Sequence, residues 1–339
     1  MPDHFLLLSK KDQFDALGVA ADALKRPAHL LEKDVWVVWA LETLFGSSLA
    51  TKLAFKGGTS LSKAFGVIRR FSEDVDLTYD IREIVPELTE DHPDGIPPTA
   101  SQADRWTKRI RERLPAWIDS DPLRILSDAI HTSKLRATAH KEGDAIYIDY
   151  EQVAAKGTGY ASPSVMLEFG ARSTGEPYEE RAVTCDAAPA LQELTFPTAH
   201  PRTMRAERTF WEKATAAHVY CLTGRFRGGP GYSRHWHDLA RLEESGHAAT
   251  AIGDGALAKT VALHKKMFFP ERIPDGGGPV DYESAVAGSL ALVPSGKAME
   301  ELAIDYKKMV EDGFLHDPSE TFEELMDKCQ QLEQAANKR

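Results

Sequence analysis

The sequence predicts an α/β lobe followed by a mostly helical lobe. Strand-like and helix-like segments alternate through roughly the first 195 residues, whereas helical periodicity dominates from about Pro201 onward. This order is typical of a sheet covered by helices, followed by a separate helical layer. At 339 residues the chain is long enough for both. We therefore predict two domains, residues 1–195 and residues 196–339.

The first 50 residues are predicted to be helical. Apolar residues recur at helical spacing from Leu30 to Leu44, after a break at Pro27. The charged run at 32–34, near the start of this helix, is interpreted as an exposed turn.

A glycine turn lies between a short strand and the next helix. Ala54 and Phe55 form the predicted strand, Gly57 and Gly58 the turn, and 59–68 the helix. Glycines at a helix start let backbone N–H groups approach an anion, and the helix dipole favours a phosphate there. The run lacks the spacing of a Walker A loop. A Gly-Gly pair before a helix is also common as a simple turn.

Two carboxylates follow on the next predicted strand, which covers 75–79. Alternate residues of a strand share a face, so Asp74 and Asp76 are expected to project to the same side. Mg²⁺ prefers hard oxygen ligands together with substrate phosphates. A lone Asp-x-Asp is also frequent in solvated loops. Together with the glycine turn, the pair favours a metal-dependent nucleotidyl-transfer site.

A third acidic candidate lies on a later strand. A turn-rich stretch at 91–100 and a basic helix around 105–113 precede strands predicted at 145–150 and 164–171. Glu168 lies in the last of these, where a carboxylate is costly unless it is paired or binds a metal. Pairing with Arg172 on an edge strand is one explanation, and a third metal ligand is the other.

The helical lobe carries two further candidates. Its helices are predicted near 205–222, 233–246, 252–267, 296–312 and 318–336. Lys213 interrupts an apolar stretch, so we expect a half-buried lysine that can neutralise charge on a transferring phosphoryl group. A surface lysine with a buried stem is the alternative. Asp238 follows Arg234 by one helical turn, which permits an ordinary ion pair.

Any contact with nucleic acid has to be local, because the formal net charge of −11 argues against bulk attraction. One loop combines Arg225 and Arg227, which can meet phosphates, with Phe226 and Tyr232, which can stack on an unpaired base. The helix around 105–113 is also basic, but its charges are spread around the helix, which is typical of a solvated face.

The composition predicts a soluble, cytoplasmic protein. Hydrophobic residues make up 42% and charged residues 27%, and no apolar run has the length of a membrane span. The amino-terminal residues lack the pattern of a signal peptide. Cys185, Cys221 and Cys329 are far apart and odd in number, which fits neither a disulfide framework nor a zinc site and suggests a reducing compartment.

Four motifs in order make the chain resemble a known family. They read GGTSLSK at 57–63, FSEDVDL at 71–77, FWEK at 210–213 and RHWHDL at 234–239. In this set the chain resembles the AbiEii/AbiGii toxin family of nucleotidyltransferases, which belong to bacterial type IV toxin–antitoxin systems and are related to the MenT-like toxins. The resemblance extends from Glu32 to about Asp305.

The resemblance implies the roles of particular residues. A nucleotidyltransferase-like amino-terminal lobe with a mixed β-sheet is expected, followed by the helical lobe. The family's nucleotide-binding positions match Gly57, Gly58, Thr59, Ser60 and Lys63. Its metal-binding pair matches Asp74 and Asp76, its later basic and acidic catalytic residues match Lys213 and Asp238, and its second motif resembles the strand around Glu168.

The resemblance also implies an activity and partners. We expect an Mg²⁺-dependent toxin that transfers a nucleotide from an NTP to RNA, at the 3′ end of tRNA, and thereby blocks translation. A cognate antitoxin encoded nearby is implied by the family. The residues leave two alternatives open: transfer to a protein or small-molecule acceptor, and an NTP-binding toxin that acts by binding a partner.

Overall fold

The computed structural model describes residues 3–68, 70, 74–154, 163–226, 229–311, 315 and 320–338. The helices are α1 Lys10–Leu24, α2 Ala28–Phe45, α3 Gly57–Lys63, α4 Ile81–Ile84, α5 Pro86–Thr89, α6 Ala100–Ser120, α7 Pro122–Thr132, α8 Ala206–Thr223, α9 Arg234–Glu244, α10 His247–Gly253, α11 Gly255–Phe268, α12 Tyr282–Ser284, α13 Lys297–Glu311 and α14 Phe322–Asn337. The strands are β1 Asp3–His4, β2 Leu53–Lys56, β3 Asp74–Asp80, β4 Ala137–Glu142, β5 Ala145–Tyr150, β6 Ser164–Ser173, β7 Tyr178–Glu180, β8 Val183–Thr184, β9 Leu194–Thr195, β10 Thr198–Ala199, β11 Arg202–Met204, β12 Arg272–Ile273 and β13 Gly278–Pro279.

A seven-stranded mixed sheet forms the centre of the α/β part, with the order β4-β5-β6-β3-β2-β11-β7. Strand β3 is parallel to β6 and antiparallel to β2, and β2 is parallel to β11. From β11 onward the described chain is mostly helical. The predicted fold class, a mixed sheet followed by a mostly helical part, is confirmed.

The two faces of this sheet differ in burial. Val75 and Leu77 of β3 are fully buried, as is Leu167 of β6. Asp74 and Asp76 alternate with them and are partly exposed. Because side chains alternate across a strand, both carboxylates lie on the more open face of a strand at the middle of the sheet.

Contacts divide the chain into two compact units, each discontinuous along the sequence. The first unit comprises Met1–Ala64, Glu73–Pro86 and Arg109–Thr203. The second comprises Phe65–Ser72, Glu87–Lys108 and Met204–Arg339. The sheet belongs to the first unit except for the last residue of β11, and α8 to α14 belong to the second. The functional division at residues 195 and 196 stays a prediction.

Some element boundaries differ from those expected. The helix after the glycine turn ends at Lys63 instead of residue 68, and Gly66 beyond it has a positive φ of 64° that no helix continues through. The short helix α10, the helix α7 and the strand β4 were not predicted. None of the helices in the described ranges combines the length and the apolar character needed to cross a membrane.

The charged run near the start of α2 is buried, so the interpretation as an exposed turn is wrong. Glu32, Lys33 and Asp34 are 3%, 5% and 8% exposed. The Glu32 carboxylate accepts hydrogen bonds from the backbone N–H groups of Val153 at 2.8 Å and Ala154 at 3.0 Å. Backbone N–H groups thus take the place of water around the Glu32 carboxylate. Sequence periodicity cannot reveal such partners, because they lie far away along the chain.

Replacing Glu32 by glutamine is expected to destabilise the fold by about 1–3 kcal/mol, because an amide cannot accept both N–H groups with its two terminal atoms. Glu42 on the same helix is exposed and accepts one backbone N–H, from Thr198. Urea unfolding should therefore show a lower midpoint for Glu32→Gln than for the control Glu42→Gln. Equal midpoints would contradict a specific role for the buried carboxylate.

Candidate active site

The glycine turn and the acidic strand are packed directly against each other. Gly57 has a φ of 76°, which disfavours any residue with a side chain. A Cβ at this position would lie 1.9 Å from Oδ2 and 2.7 Å from Cγ of Asp76. The Asp76 carboxylate therefore occupies the space beside the turn that every other residue type would fill.

Two hydroxyl groups hold the turn to the strand. The Thr59 hydroxyl donates to the backbone carbonyl of Asp74, and the Ser60 hydroxyl donates to the carbonyl of Gly57 at 2.9 Å. Both residues are buried, and so is Gly58. These contacts fix the start of α3 relative to β3, while a nucleotide-binding role for the same residues stays a prediction.

Glu168 lies beside Asp76 on the neighbouring strand. The parallel register of β3 and β6 pairs Asp76 with Glu168 and Asp74 with Met166. Because β6 lies between β5 and β3, the explanation that places Glu168 on an edge strand is wrong. Within the described ranges, however, no group of three or more His, Cys, Asp or Glu side chains is placed to hold a metal ion. Mg²⁺ needs only one or two protein carboxylates besides phosphates, so a site at Asp74 and Asp76 stays a prediction.

Lys63 is held by two carboxylates behind the turn. Its Nζ lies 2.5 Å from Oδ1 of Asp34 and 2.6 Å from Oδ1 of Asp186. Burial alone would lower the pKa of Lys63, but the two carboxylates outweigh it and raise the pKa above its ordinary value. The charged ammonium therefore ties α3 to α2, and its role toward a nucleotide stays a prediction.

In the second unit, Asp238 is the centre of a buried ionic cluster. It is fully buried on α9, and its Oδ2 lies 2.9 Å from Nζ of Lys213 on α8. Arg70 places Nε 2.8 Å from Oδ1 and Nη2 2.8 Å from Oδ2. The alternative explanation of Asp238, an ordinary ion pair with Arg234, is therefore wrong. Lys213 is only 7% exposed, so the alternative of a surface lysine is wrong as well.

Asp238 is ionised in this environment. Burial alone would raise its pKa, but Arg70 and Lys213 hold the pKa well below its usual value. His237 adds a contact from Nδ1 to Oδ1 at 3.3 Å. The cluster joins one carboxylate to two cations within the second unit.

Sequence reasoning missed Arg70. It precedes Asp74 by four residues in a run with no recognisable spacing, so only the fold brings it to Asp238. The loop expected to contact RNA is described in part. Phe226 stacks on Tyr232 with ring centroids 5.4 Å apart, and Arg225 is exposed, whereas Arg227 lies outside the described residues.

The first unit thus places a glycine turn beside two strand carboxylates, and the second unit contains a buried lysine–carboxylate cluster. The family model described as nucleotidyl transferase AbiEii toxin, Type IV TA system, matches residues 39–328. The chain therefore belongs to this family of nucleotidyltransferase toxins.

One solved structure is similar along nearly its whole length. It is described as MenT4, nucleotidyltransferase toxin Rv2826c from Mycobacterium tuberculosis H37Rv. The two share 17% sequence identity with a TM-score of 0.41, over 97% of this chain and 98% of that chain. No curated protein sequence matches the chain.

An alanine in the left-handed conformation costs about 1–2 kcal/mol in free energy of unfolding. Gly57→Ala is expected to destabilise the protein by more than this, because its new methyl group also displaces the Asp76 carboxylate. Gly143 is a matched control in the first unit, since its φ is 60° and nothing lies within 4 Å of its Cβ position. Urea unfolding of both alanine variants gives the comparison. Equal losses of stability would contradict the close approach of Asp76.

Asp238→Asn is expected to lower the free energy of unfolding at pH 7. It is also expected to make that free energy fall less steeply as the pH is lowered. The folded pKa lies below the unfolded value of about 3.9, so the carboxylate contributes stability above that pH and loses it as the pH falls through the folded pKa. Urea midpoints between pH 7 and pH 3 measure the effect. Parallel curves for parent and variant would show that the cluster does not depress this pKa.

Proposed function

We propose that the protein is an Mg²⁺-dependent toxin that transfers a nucleotide from an NTP to RNA, at the 3′ end of tRNA. The observation that carries the proposal is the contact between Gly57 and Asp76. It brings the backbone of a glycine turn, suited to phosphate oxygens, against a strand carrying two acidic residues. The family of nucleotidyltransferase toxins supports the reaction type.

The donor atoms at the acidic strand fit a magnesium ion. Asp74 and Asp76 offer hard oxygen ligands on the partly exposed face, with Glu168 next in register. These two aspartates would hold the ion, and the bound ion would neutralise charge on the triphosphate.

The chain's own residues bind and orient the reactants. Backbone N–H groups at 58–60 would bind the β- and γ-phosphates, with Lys63 on the helix behind them. The oxygen of an RNA hydroxyl would form a bond to the α-phosphorus and lose its proton to water, while the bond between that phosphorus and the bridging oxygen to the β-phosphate breaks and pyrophosphate leaves. Lys213 would offset the charge on pyrophosphate, and Asp238 orients Lys213 at 2.9 Å.

RNA is the acceptor we favour, and an exposed arginine, Arg225, beside the stacked rings of Phe226 and Tyr232 in the loop after α8 supports this choice. Translation would stop once tRNA is modified at its 3′ end. Membership of a type IV toxin–antitoxin family supports an antitoxin as a partner.

The activity is tested by incubating the purified protein with total RNA, Mg²⁺ and each labelled NTP in turn. Label on RNA, in the tRNA size range, is expected for at least one NTP. Label on protein or on a small molecule would show that RNA is not the acceptor, although the reaction type would still be nucleotidyl transfer. Absence of transfer to any acceptor with every NTP would refute the proposal.

Asp74→Ala and Asp76→Ala are each expected to abolish transfer while the fold persists, because loss of a metal ligand removes several kcal/mol of charge stabilisation. Asp149→Ala is the control, since Asp149 is an exposed acidic residue of the same sheet. Labelled-nucleotide transfer is measured for all three at equal folded concentration. Parental transfer by either of the first two variants would refute the assigned metal site.

A further inference from the structure

Arg70 is a buried arginine in a fixed position. Its side chain is 5% exposed, and its backbone forms an isolated bridge with Leu315. Its Nε and Nη2 atoms each lie 2.8 Å from a different oxygen of the Asp238 carboxylate. Such a two-point contact between planar groups sets the orientation of the carboxylate as well as its position.

The oxygen that meets Arg70 Nη2 also holds the lysine. Oδ2 of Asp238 lies 2.8 Å from Nη2 of Arg70 and 2.9 Å from Nζ of Lys213. A lysine is a compact charge on a flexible four-carbon stem, so its own side chain does little to fix the ammonium group. The orientation of Asp238 therefore decides where the ammonium of Lys213 lies.

We propose that Arg70 is a positioning residue for Lys213 and acts through Asp238. The inference rests on the proposed function, in which Lys213 offsets the charge on the leaving pyrophosphate. Arg70→Lys would keep the positive charge but lose the planar two-point contact. The carboxylate of Asp238 could then rotate and move the ammonium group of Lys213 with it. A displacement of about 1 Å at a reacting group can cost about a hundredfold in rate.

The first test compares Arg70→Lys with Arg241→Lys. Arg241 lies on the same helix as Asp238 and pairs with Glu320 at 2.6 Å and Glu244 at 3.0 Å, so the control makes the same charge-conserving change at a different ion pair. Arg70→Lys is expected to lower kcat about a hundredfold with little change in the KM for the NTP. The control keeps the parental kcat. Parental kcat in Arg70→Lys would overturn the inference.

A double variant separates positioning from an independent contribution. If Arg70 acts only through Asp238, then Arg70→Lys combined with Asp238→Asn lowers kcat no further than the worse single variant. Each kcat is taken per folded molecule, with the folded fraction measured by urea unfolding. Losses that multiply in the double variant would overturn the proposed route through Asp238.

A chemical test does not depend on nucleotidyl transfer. The rate of reductive methylation of Lys213 is measured by mass spectrometry. This rate is expected to be higher in Arg70→Lys than in the parent, and equal to that of the parent in Arg241→Lys. Arg70→Gln is the second variant should the lysine variant fail to fold. Unchanged protection of Lys213 would overturn the inference. A parent without transfer activity would refute the proposed function alone, and methylation would still decide the role of Arg70.

Discussion

The close approach of the Asp76 carboxylate to the backbone of Gly57 is the constraint on which the acidic face of the sheet depends. It requires a residue without a side chain at a positive φ, on a turn that joins β2 to α3. It also requires β2 and β3 to be adjacent and antiparallel, with Lys56 opposite Asp76. The hydroxyl of Thr59 then ties the helix to the strand. One tight contact thus determines the position of the turn, the helix and both carboxylates.

Each unit contains a buried ionic cluster, and the two clusters have different compositions. In the first unit, Lys63 lies between two carboxylates, whereas in the second Asp238 lies between two cations. A buried ion pair gains little net stability over apolar packing, because each charge loses its water. Their value here is geometric. Each ionic cluster fixes the position of a charged group. Packing of flexible side chains alone would not do so.

The sequence predicted the class of fold and the local motifs, but it did not reveal the partners of the buried charges. Periodicity identified the strand of Asp76 and the helix of Lys213, because both follow local alternation or helical spacing. Asp34 accepts a hydrogen bond from the backbone N–H of Asp186, and Arg70 binds Asp238; both contacts join residues more than 100 positions apart. No local pattern encodes such pairs, which is why helical spacing alone indicates neither the burial of the run at 32–34 nor the role of Arg70.

The parallel pairing of β3 with β6 has a consequence for how the chain matures on the ribosome. Asp76 and Glu168 are neighbours in the sheet but are separated by about ninety residues of chain. Contacts of such high sequence separation form slowly, since a long loop has to close first. During synthesis the acidic strand therefore emerges well before the strand that flanks it, and the nascent protein lacks its complete acidic surface until β6 has left the exit tunnel.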